Sequence, residues 1–374
     1  MINQYQICSR CVLDTTESTI TFDEKGICHF CKEFDNYKEG EKRTSEDKHT
    51  QLQEFIKKIK RDGEGKEYDC IIGVSGGVDS SYVALLVKDF GLRPLAVHLD
   101  NGWDDELAVK NIENICKTLS IDLYTHVINW EEFKDLQLSF LKASVANAEA
   151  PTDHAIFAIL YKMAKKYNLK WIIDGVNDAT EFSRPTTTSA GYRYDDLKHI
   201  IGIHQIFGTQ KLKTYPSISI WRKFFLRSIL KVRQFSILNY VHYNKNEAKE
   251  LLINKLDWRS YGAKHHESLY TKWHQVLYLP HKFGYDKRRI HLSDMILSKQ
   301  ISRDEALREL EEPSLPLQDI RELEKYVMKK LDISEVEYLR ILSDSPKKFS
   351  EYPNDNNVLN YYAKNFKKTK IIEI

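Results

Sequence analysis

The sequence predicts an α/β fold: a doubly wound parallel sheet with a small metal-binding ribbon before it and a helical region after it. Three observations predict this. Short apolar strands alternate with helical patterns between Glu67 and Asp174, a Gly-rich turn follows the first strand, and two Cys-x-x-Cys pairs precede the whole segment. With 374 residues, of which 42% are hydrophobic and 29% charged, the chain is long enough for more than one globular domain.

The first element is a zinc ribbon over residues 1–40, which contains the pairs Cys8/Cys11 and Cys28/Cys31. Sixteen residues separate the two pairs, a spacing typical of a four-thiolate zinc site. Two disulfides are the competing interpretation. The polar residues before Cys8 do not resemble a signal peptide, so we expect a reducing, cytoplasmic location and a metal. Four thiolates would complete the coordination of Zn²⁺, which predicts a structural role.

The next elements are a connector helix over residues 41–66 and the sheet domain over residues 67–205. Apolar runs bounded by turn residues predict its strands, and periodic apolar residues predict its helices. The predicted strands are Tyr68–Val74, Pro94–Leu99, Asp122–Ile128 and Lys170–Asp174. The predicted helices are Tyr82–Phe90, Glu106–Leu119, Trp130–Ala148 and Asp153–Tyr167. Residues 206–374 are predicted to form a mostly helical substrate or partner region, with helical periodicity at Asp304–Leu310 and Leu317–Leu331.

The turn after the first strand, residues 73–81 (the Ser-Gly-Gly loop), reads Gly-Val-Ser-Gly-Gly-Val-Asp-Ser-Ser. Its glycines let the backbone approach an oxyanion, and the N–H groups of the helix that follows point at that oxyanion. The serine hydroxyls add donors, and Asp79 offers a carboxylate that could hold Mg²⁺ against a pyrophosphate. A Walker loop needs a Lys that is missing here, and a dinucleotide fingerprint needs a third Gly.

The loop resembles the SGGxDS motif of the N-type ATP pyrophosphatases, the PP-loop superfamily, whose members cleave ATP between its α- and β-phosphates. The resemblance implies ATP-binding roles for the loop and for the ends of two further strands. Past Gly175 the sequence departs from the usual Ala-Asp-Glu pattern, so Asp178 and Glu181 stay open between metal or substrate carboxylates and solvated loop residues. The implied ATP-binding residues are Gly73, Val74, Ser75, Gly76, Gly77, Asp79, Ser80, Ser81, Leu99, Asp100 and Gly175.

Two further clusters are candidates for the acceptor site. Asp153 and His154 begin a predicted helix, where Asp153 could cap the helix or both could face the crevice at the strand ends. The second cluster spans residues 258–267 and continues at residues 287–289. Its basic residues could neutralise a departing pyrophosphate and the charge of a substrate. We assign Asp79, Lys264, Lys287 and Arg288 to catalysis, and Asp153, His154, Arg259, His265, His266 and Glu267 to substrate binding.

The segment from Leu197 to Ala248 has nine basic residues and a single acid, Glu247. Three interpretations are open: a packed helix pair, a basic amphipathic surface for a membrane or an anionic polymer, and a wall that receives a phosphorylated substrate. We favour the first and the third together, and peripheral membrane contact stays open. No apolar stretch has the length of a membrane span.

Together, the ribbon, the loop and the Trp258–Glu267 stretch resemble the N-acetyl sugar amidotransferases, from Ile7 to Leu310. The run Phe283–Leu292 (FGYDKRRIHL) is the most telling part of this resemblance. The resemblance implies that an acetamido group of a bacterial surface-polysaccharide sugar becomes an acetamidino group through an O-adenylyl imidate. It implies ATP and Mg²⁺ beside the structural Zn²⁺, and a nucleotide- or lipid-linked acetamido sugar as substrate.

Ammonia must then come from another protein. Ile2 follows Met1 where an N-terminal nucleophile glutaminase needs Cys, and Cys70 and Cys116 lie outside nucleophile elbows. By elimination, and as the resemblance implies, we expect a separate glutaminase subunit, with a cyclase-like third subunit as a further candidate. A tRNA thiolase, which pairs the same loop with zinc knuckles, is the nearest alternative, although nucleic acid is not the expected partner. A non-catalytic zinc-ribbon binding module is the second alternative.

Overall fold

The structure is a computed structural model that describes residues 5–41, 44–183, 193–261 and 266–366. Its strands are β1 (Cys70–Gly73), β2 (Pro94–Asp100), β3 (Asp122–Val127), β4 (Trp171–Asp174) and β5 (Arg233–Ser236). Its helices are α1 (His29–Gly40), α2 (Ser45–Asp62), α3 (Val78–Asp89), α4 (Glu106–Leu119), α5 (Trp130–Lys142), α6 (Ala150–Lys166), α7 (Leu197–Phe207), α8 (Ile220–Ser228), α9 (Lys245–Leu256), α10 (Leu269–Trp273), α11 (Leu279–Phe283), α12 (Arg288–Leu297), α13 (Arg303–Glu311), α14 (Leu317–Leu331), α15 (Glu335–Ser343) and α16 (Asn356–Phe366). Within the described ranges, no helix has both the length and the apolar character needed to cross a bilayer.

The five strands form one parallel sheet in the order β3-β2-β1-β4-β5. The central strand is β1, where Ile72 is in register with Ala96 of β2 on one side and with Ile173 of β4 on the other. The chain builds from β1 to β2 and β3, and then returns to the far side of β1 for β4 and β5. This reversal creates a switch point at the carboxyl ends of β1 and β4, where such sheets bind ligands. The predicted doubly wound parallel sheet is confirmed.

Helices cover both faces of the sheet, because successive strand residues point to opposite faces. Ile71 of β1 belongs to the apolar cluster that contains α6, and Ile72 belongs to the cluster that contains α3. On this second face α2 packs through Phe55, whose ring centroid lies 4.7 Å from that of Phe235 in β5. The predicted connector helix is therefore also part of the layer that covers the sheet.

Most predicted elements lie close to their predicted bounds, and α4 and α14 coincide with theirs. The main difference is β5, an edge strand in the region that the sequence predicts to be mostly helical, so the sheet extends past residue 205. A smaller difference is the start of α3 at Val78 rather than Tyr82, because Gly77 is its N-cap. The Ser-Gly-Gly loop therefore passes directly into a helix.

The ribbon packs against the C-terminal helices. Arg303 of α13 donates from Nη2 to the carbonyl oxygen of Cys8 at 3.0 Å and from Nε to that of Cys11 at 3.1 Å. Arg289 of α12 forms an ion pair with the buried Asp14, with Nε and Oδ2 3.0 Å apart. These contacts join the first knuckle of the ribbon to α12 and α13.

Candidate functional site

A cavity of about 400 Å³ opens at the carboxyl ends of β1 and β4, at the switch point of the sheet. Its walls come from the Ser-Gly-Gly loop, the loop after β4, and the region from α9 to α13. The two loops contribute Ser75, Gly77, Val78, Asp79, Ser80, Gly175, Val176 and Glu181. The region beyond β5 contributes, among others, Lys245, Asn246, Lys249, Trp258, Tyr261, His266, Glu267, Gln275, Lys287, Arg288 and His291.

The backbone of the Ser-Gly-Gly loop has the shape that an oxyanion requires. Gly76 has a φ of 77°, the left-handed conformation that favours glycine. A Cβ atom on Gly76 would also overlap the carbonyl oxygen of Ala108 in α4. The N-cap of α3 is Gly77, which carries no capping side chain, so the first-turn N–H groups are not capped from within the loop.

Serine side chains shape the loop from inside. Ser75 N–H donates to Ser80 Oγ at 3.2 Å, and Gly77 N–H donates to Ser75 Oγ at 3.3 Å. Ser81 is buried, and its Oγ donates to the carbonyl oxygen of Gly77 at 2.6 Å. Ser75 and Ser80 line the cavity, whereas Ser81 closes the first turn of α3.

Two side chains from outside the loop hold the carbonyl oxygen of Gly76. Trp258 Nε1 donates to it at 2.9 Å, and Asn111 Nδ2 lies at 3.4 Å. Asn111 is itself joined to the backbone of Arg259, whose N–H donates to Asn111 Oδ1 at 2.8 Å. The segment after α9 therefore fixes the turn that a phosphate would contact.

Asp79 and Glu181 are the acidic side chains that the two strand-end loops place in the cavity. Tyr243 donates its hydroxyl to Asp79 Oδ1. Burial, together with the charges of Asp79 and Glu181, raises the pKa of Tyr243, so the phenol stays a donor. Gly175 allows the close approach of the two loops, since a Cβ there would lie 3.2 Å from backbone and side-chain carbons of Asp79. Carboxylate oxygens are the ligands that Mg²⁺ prefers, so these residues fit a cation held beside phosphates.

Glu267 reaches the Ser-Gly-Gly loop from the opposite wall. Its segment is attached to the loop after β2, where Asp105 N–H donates to the carbonyl oxygen of Glu267 at 2.8 Å. Its Oε1 lies 3.5 Å from Ser75 Oγ. Burial and the charge of Glu267 raise the pKa of Tyr261, which lines the cavity beside it. The structure thus brings Glu267 directly to the predicted phosphate site.

Lys287 lines the cavity and also acts on a partly buried charge cluster at the start of α6. Burial and the neighbouring Glu149 raise the pKa of Asp153 to about 7, and the charge of Lys287 opposes this rise. Burial alone would raise the pKa of Glu149, but His274 and Lys287 outweigh it and lower that pKa to about 2. His274 Nδ1 lies 3.2 Å from Glu149 Oε2. Asp153 is not among the residues that line the cavity.

The wall beside this cluster contains a π-helical turn, His274–Tyr278, between α10 and α11. Gln275 and Val276 of this turn line the cavity. Single π-turns are rare and occur often at functional sites, because they rotate side chains out of the α-helical register. The turn places Gln275 in the cavity and His274 against Glu149.

Six predicted ATP-binding residues do not line the cavity. Leu99 is buried within β2, and Asp100 Oδ1 accepts from Gly102 N–H at 2.9 Å, which closes the turn after that strand. Val74 is also buried, and its carbonyl oxygen lies 3.0 Å from His98 Nδ1. Side chains and backbone at these positions shape the strand ends and the loop, and their contact with ATP stays a prediction. The six are Gly73, Val74, Gly76, Ser81, Leu99 and Asp100.

The side chain of His154 is buried and hydrogen-bonded to the backbone, contrary to the expectation that it faces the crevice. It is buried, its Nδ1 lies 2.9 Å from the carbonyl oxygen of Tyr194, and its Nε2 accepts from Ile218 N–H at 3.1 Å. Burial lowers its pKa. Both ring nitrogens are therefore occupied by the backbone.

Two predicted arginines are also engaged elsewhere. The exposed side chain of Arg259 lies 3.8 Å from Asp257 and does not line the cavity. Arg288 does line it, but its guanidinium is bound to the carboxylate of Asp286 at 2.8 Å and to the carbonyl oxygen of Glu309 at 2.9 Å. Arg288 thus joins α12 to the end of α13.

Of the remaining predicted residues, His266 and Lys287 line the cavity with Glu267. Asp178 turns away, because its Oδ2 accepts from Tyr37 of α1. Lys264 and His265 lie outside the described residues.

Four residues of this site are not predicted by the sequence motifs: Tyr243, Trp258, Tyr261 and Gln275. Trp258 and Tyr261 belong to the polar cluster of residues 258–267. Two aromatic residues within such a polar stretch are the signal that could have indicated them. Tyr243 and Gln275 belong to no motif. Their positions depend on how β5 and the π-helical turn fold against the loop.

The ribbon contains the candidate metal centre. The Sγ atoms of Cys8, Cys11, Cys28 and Cys31 all lie within 4.8 Å of one another, and three pairs are separated by 3.6, 3.7 and 3.8 Å. A tetrahedral site with Zn–S bonds of about 2.3 Å separates its sulfurs by about 3.8 Å. Cys28 N–H also donates to Cys8 Sγ at 3.2 Å, and none of the cysteines forms a disulfide. The four residues fit Zn²⁺.

Family models match two parts of the chain. Residues 49–212 match NAD synthase, and residues 267–369 match the C-terminal domain of WbpG-like lipopolysaccharide biosynthesis proteins. The two matches confirm the resemblance to the N-acetyl sugar amidotransferases within the PP-loop superfamily, and both matched parts contribute walls to the cavity.

Individual relatives also match parts of the chain. It is 30% identical over 173 residues to the uncharacterized protein MJ1599 of Methanocaldococcus jannaschii, which is 45% of this chain and 58% of that one. It is 26% identical over 120 residues to the tRNA-specific 2-thiouridylase MnmA 2 of Fusobacterium nucleatum, which is 30% of this chain and 35% of that one. The chain thus spans about half or less of these relatives. The NMN synthetase of Francisella tularensis aligns with a TM-score of 0.29 and 18% identity, over 62% of this chain and 93% of that one.

Proposed function

We propose that this protein is an ATP-dependent, AMP-forming amidotransferase that converts an acetamido group of a bacterial surface-polysaccharide sugar into an acetamidino group. One observation carries the proposal. The Ser-Gly-Gly loop of the PP-loop domain and the WbpG-like domain enclose the same cavity, and Glu267 Oε1 comes within 3.5 Å of Ser75 Oγ. An activating nucleotide and a sugar held by the second domain would therefore meet in one enclosure.

The chemistry needs positioning more than covalent catalysis. The amide oxygen of the sugar attacks the α-phosphorus of ATP and displaces pyrophosphate, while the amide nitrogen loses its proton. Ammonia then adds to the imidate carbon, AMP leaves with the former amide oxygen, and an amidine remains. The loop N–H groups and Lys287 would stabilise the pyrophosphate, and Asp79 and Glu181 would hold Mg²⁺ beside it.

Ammonia is proposed to come from a separate glutaminase subunit, with a cyclase-like subunit as a further candidate. Four of the six cysteines form the candidate metal centre. Cys70 and Cys116 are buried, and burial raises the pKa of both thiols, that of Cys116 to about 11. Thiols of this kind are poor nucleophiles, which supports an external ammonia donor.

The direct test is incubation of the protein with MgATP, ammonium and a panel of nucleotide-linked acetamido sugars. We expect AMP and pyrophosphate, together with a sugar product whose mass shows replacement of oxygen by N–H. ADP as the nucleotide product would contradict the proposal. A parallel assay for tRNA-stimulated pyrophosphate release tests the tRNA thiolase alternative, which the match to the 2-thiouridylase keeps under consideration.

Asp79→Asn tests the role of the loop carboxylate. Because Asp79 would hold the metal that neutralises the leaving pyrophosphate, we expect AMP formation to fall by about 100-fold or more. Asp178→Asn is the matched control, since Asp178 is an acid of the neighbouring strand-end loop that binds Tyr37 instead of lining the cavity. Equal rates for wild type and Asp79→Asn would refute the assignment.

A further inference from the structure

Helix α8 presents an apolar stripe to solvent. Trp221, Phe225 and Ile229 are exposed by 71%, 47% and 63%. Their spacing of four residues places them on one side of the helix, and Ile229 continues the helical hydrogen bonding through its N–H to the carbonyl oxygen of Phe225. Three large apolar side chains in a row on a short surface helix are unusual for a surface that contacts only water.

The stripe lies in a strongly basic segment. Between residues 197 and 246 the chain contains nine Lys and Arg residues and no Asp or Glu. Arg222 lies beside the stripe on α8, Lys231 follows it, and both are exposed. Neither forms an ion pair with an acid among the residues that the structure describes. We call Trp221, Arg222, Phe225, Ile229 and Lys231 the aromatic-basic face.

The helix is held in place from its other side. Leu226 is 2% exposed and belongs to the same apolar cluster as α6. Lys223 Nζ lies 3.3 Å from Asp195 Oδ2, and Ser219 caps the helix by accepting from Arg222 N–H. The face is thus preformed on the protein, and binding would not require the helix to fold.

We propose that the aromatic-basic face binds an anionic lipid surface. Amphipathic helices with aromatic and aliphatic residues on one side and Lys or Arg around them lie in the headgroup region of such bilayers. Aromatic residues and Arg are also common in protein interfaces, but such interfaces are depleted of Lys. Lys231 and the absence of any acid between residues 197 and 246 favour an anionic surface as the partner. Single-stranded nucleic acid would stack on Trp221 and Phe225, but it gains nothing from an exposed Ile229. The lipid surface is the partner that uses all five residues.

The basic residues of the segment 197–246 lie in at least two places, the cavity and the aromatic-basic face. Lys245 lines the cavity, as expected for a wall that receives a phosphorylated substrate. The aromatic-basic face does not line it, so its binding to lipid is independent of the amidotransferase chemistry.

The test is co-sedimentation of the whole, zinc-loaded protein with vesicles of phosphatidylcholine alone or mixed with phosphatidylglycerol. We expect binding to the mixed vesicles that weakens with salt, since the charges are exposed. The partition coefficient onto the mixed vesicles should fall about tenfold or more in the triple variant Trp221→Ser, Phe225→Ser, Ile229→Ser. Leu317→Ser, Val336→Ser, Leu339→Ser is the matched control, because these three apolar residues are equally exposed on α14 and α15.

Unchanged thermal unfolding of the triple variant shows that the loss is not a folding defect. Equal binding of wild type and triple variant, or no preference for anionic vesicles, would overturn the proposal. So would binding of tRNA that the triple variant loses, without any binding to vesicles.

Discussion

Among single residues, Asp153 has the most informative ionisation. Its pKa is held at about 7 by burial and by Glu149, whereas Asp in an unfolded chain titrates near about 4. Between these values the folded protein binds a proton that the unfolded chain has lost. The free energy of unfolding therefore falls as the pH rises from about 4 to about 7. Glu149 has the opposite effect: its lowered pKa stabilises the fold above about pH 4, and this contribution is lost as the pH falls toward 2.

We expect Asp153→Asn to remove the first of these effects. The variant should gain stability relative to wild type as the pH rises from about 4 to about 7, by roughly 1–3 kcal/mol. Thermal or urea unfolding across this pH range measures it. Asp319→Asn, an exposed acid at the start of α14, is the control and should run parallel to wild type. A difference between Asp153→Asn and wild type that does not change with pH would contradict the assigned pKa.

At the scale of elements, α12 connects the metal centre to the cavity. Its Arg288, His291 and Leu292 line the cavity. On the ribbon side, Arg289 pairs with Asp14, and Val12 N–H donates to Ser293 Oγ at 3.2 Å. The ribbon has too few residues for a core of its own, so a metal held by its four cysteines would supply much of its folding free energy. Loss of the metal should therefore loosen a wall of the cavity.

Hydrogen–deuterium exchange before and after removal of the metal by a chelator tests this coupling. We expect faster exchange in residues 5–40 and also in α12, because α12 loses its contacts with Val12 and Asp14. The amides of α3 are the internal control, since α3 packs on the sheet and should exchange as before. Changes confined to the ribbon would mean that α12 holds its position without the metal.

The elements differ in how well sequence predicts them, and the reasons are physical. The Ser-Gly-Gly loop is a local strand–turn–helix feature, so its anion cradle follows from residues next to one another. By contrast, β5 is a four-residue edge strand in which only Phe235 is buried, and its polar neighbours carry no strand periodicity. The position of His154 could not be predicted either, because its backbone partners at Tyr194 and Ile218 are distant in sequence.

In the molecule as a whole, the candidate site depends on contacts between segments far apart in the chain. Trp258 reaches the Ser-Gly-Gly loop across 182 residues, and Glu267 reaches it across 192. Motifs supplied both sets of residues, but only tertiary packing places them together. The Ser-Gly-Gly loop is thereby contacted by Trp258, which precedes the WbpG-like domain, and by Glu267, the first residue of that domain. We therefore expect nucleotide affinity to depend on the packing of both parts.

Trp258→Phe tests whether nucleotide affinity depends on this packing between distant segments. The variant removes the indole donor from the carbonyl oxygen of Gly76 and leaves only the longer contact from Asn111. Trp171→Phe is the matched control: Trp171 is equally buried, and its Nε1 donates to Asp62 at 2.9 Å, away from the cavity. Trp258→Phe loses a buried hydrogen bond to a carbonyl oxygen, worth about 1 kcal/mol, and Trp171→Phe loses a partly buried one to a carboxylate, worth about 1.5–3 kcal/mol. The control should therefore lose at least as much stability as Trp258→Phe. Only Trp258→Phe should weaken ATP binding, by about five- to tenfold in calorimetric titration, because only there does the lost bond hold the phosphate-binding turn. If both variants bound ATP as wild type does, the turn would be set by the loop alone, and the distant segment would have no part in nucleotide binding.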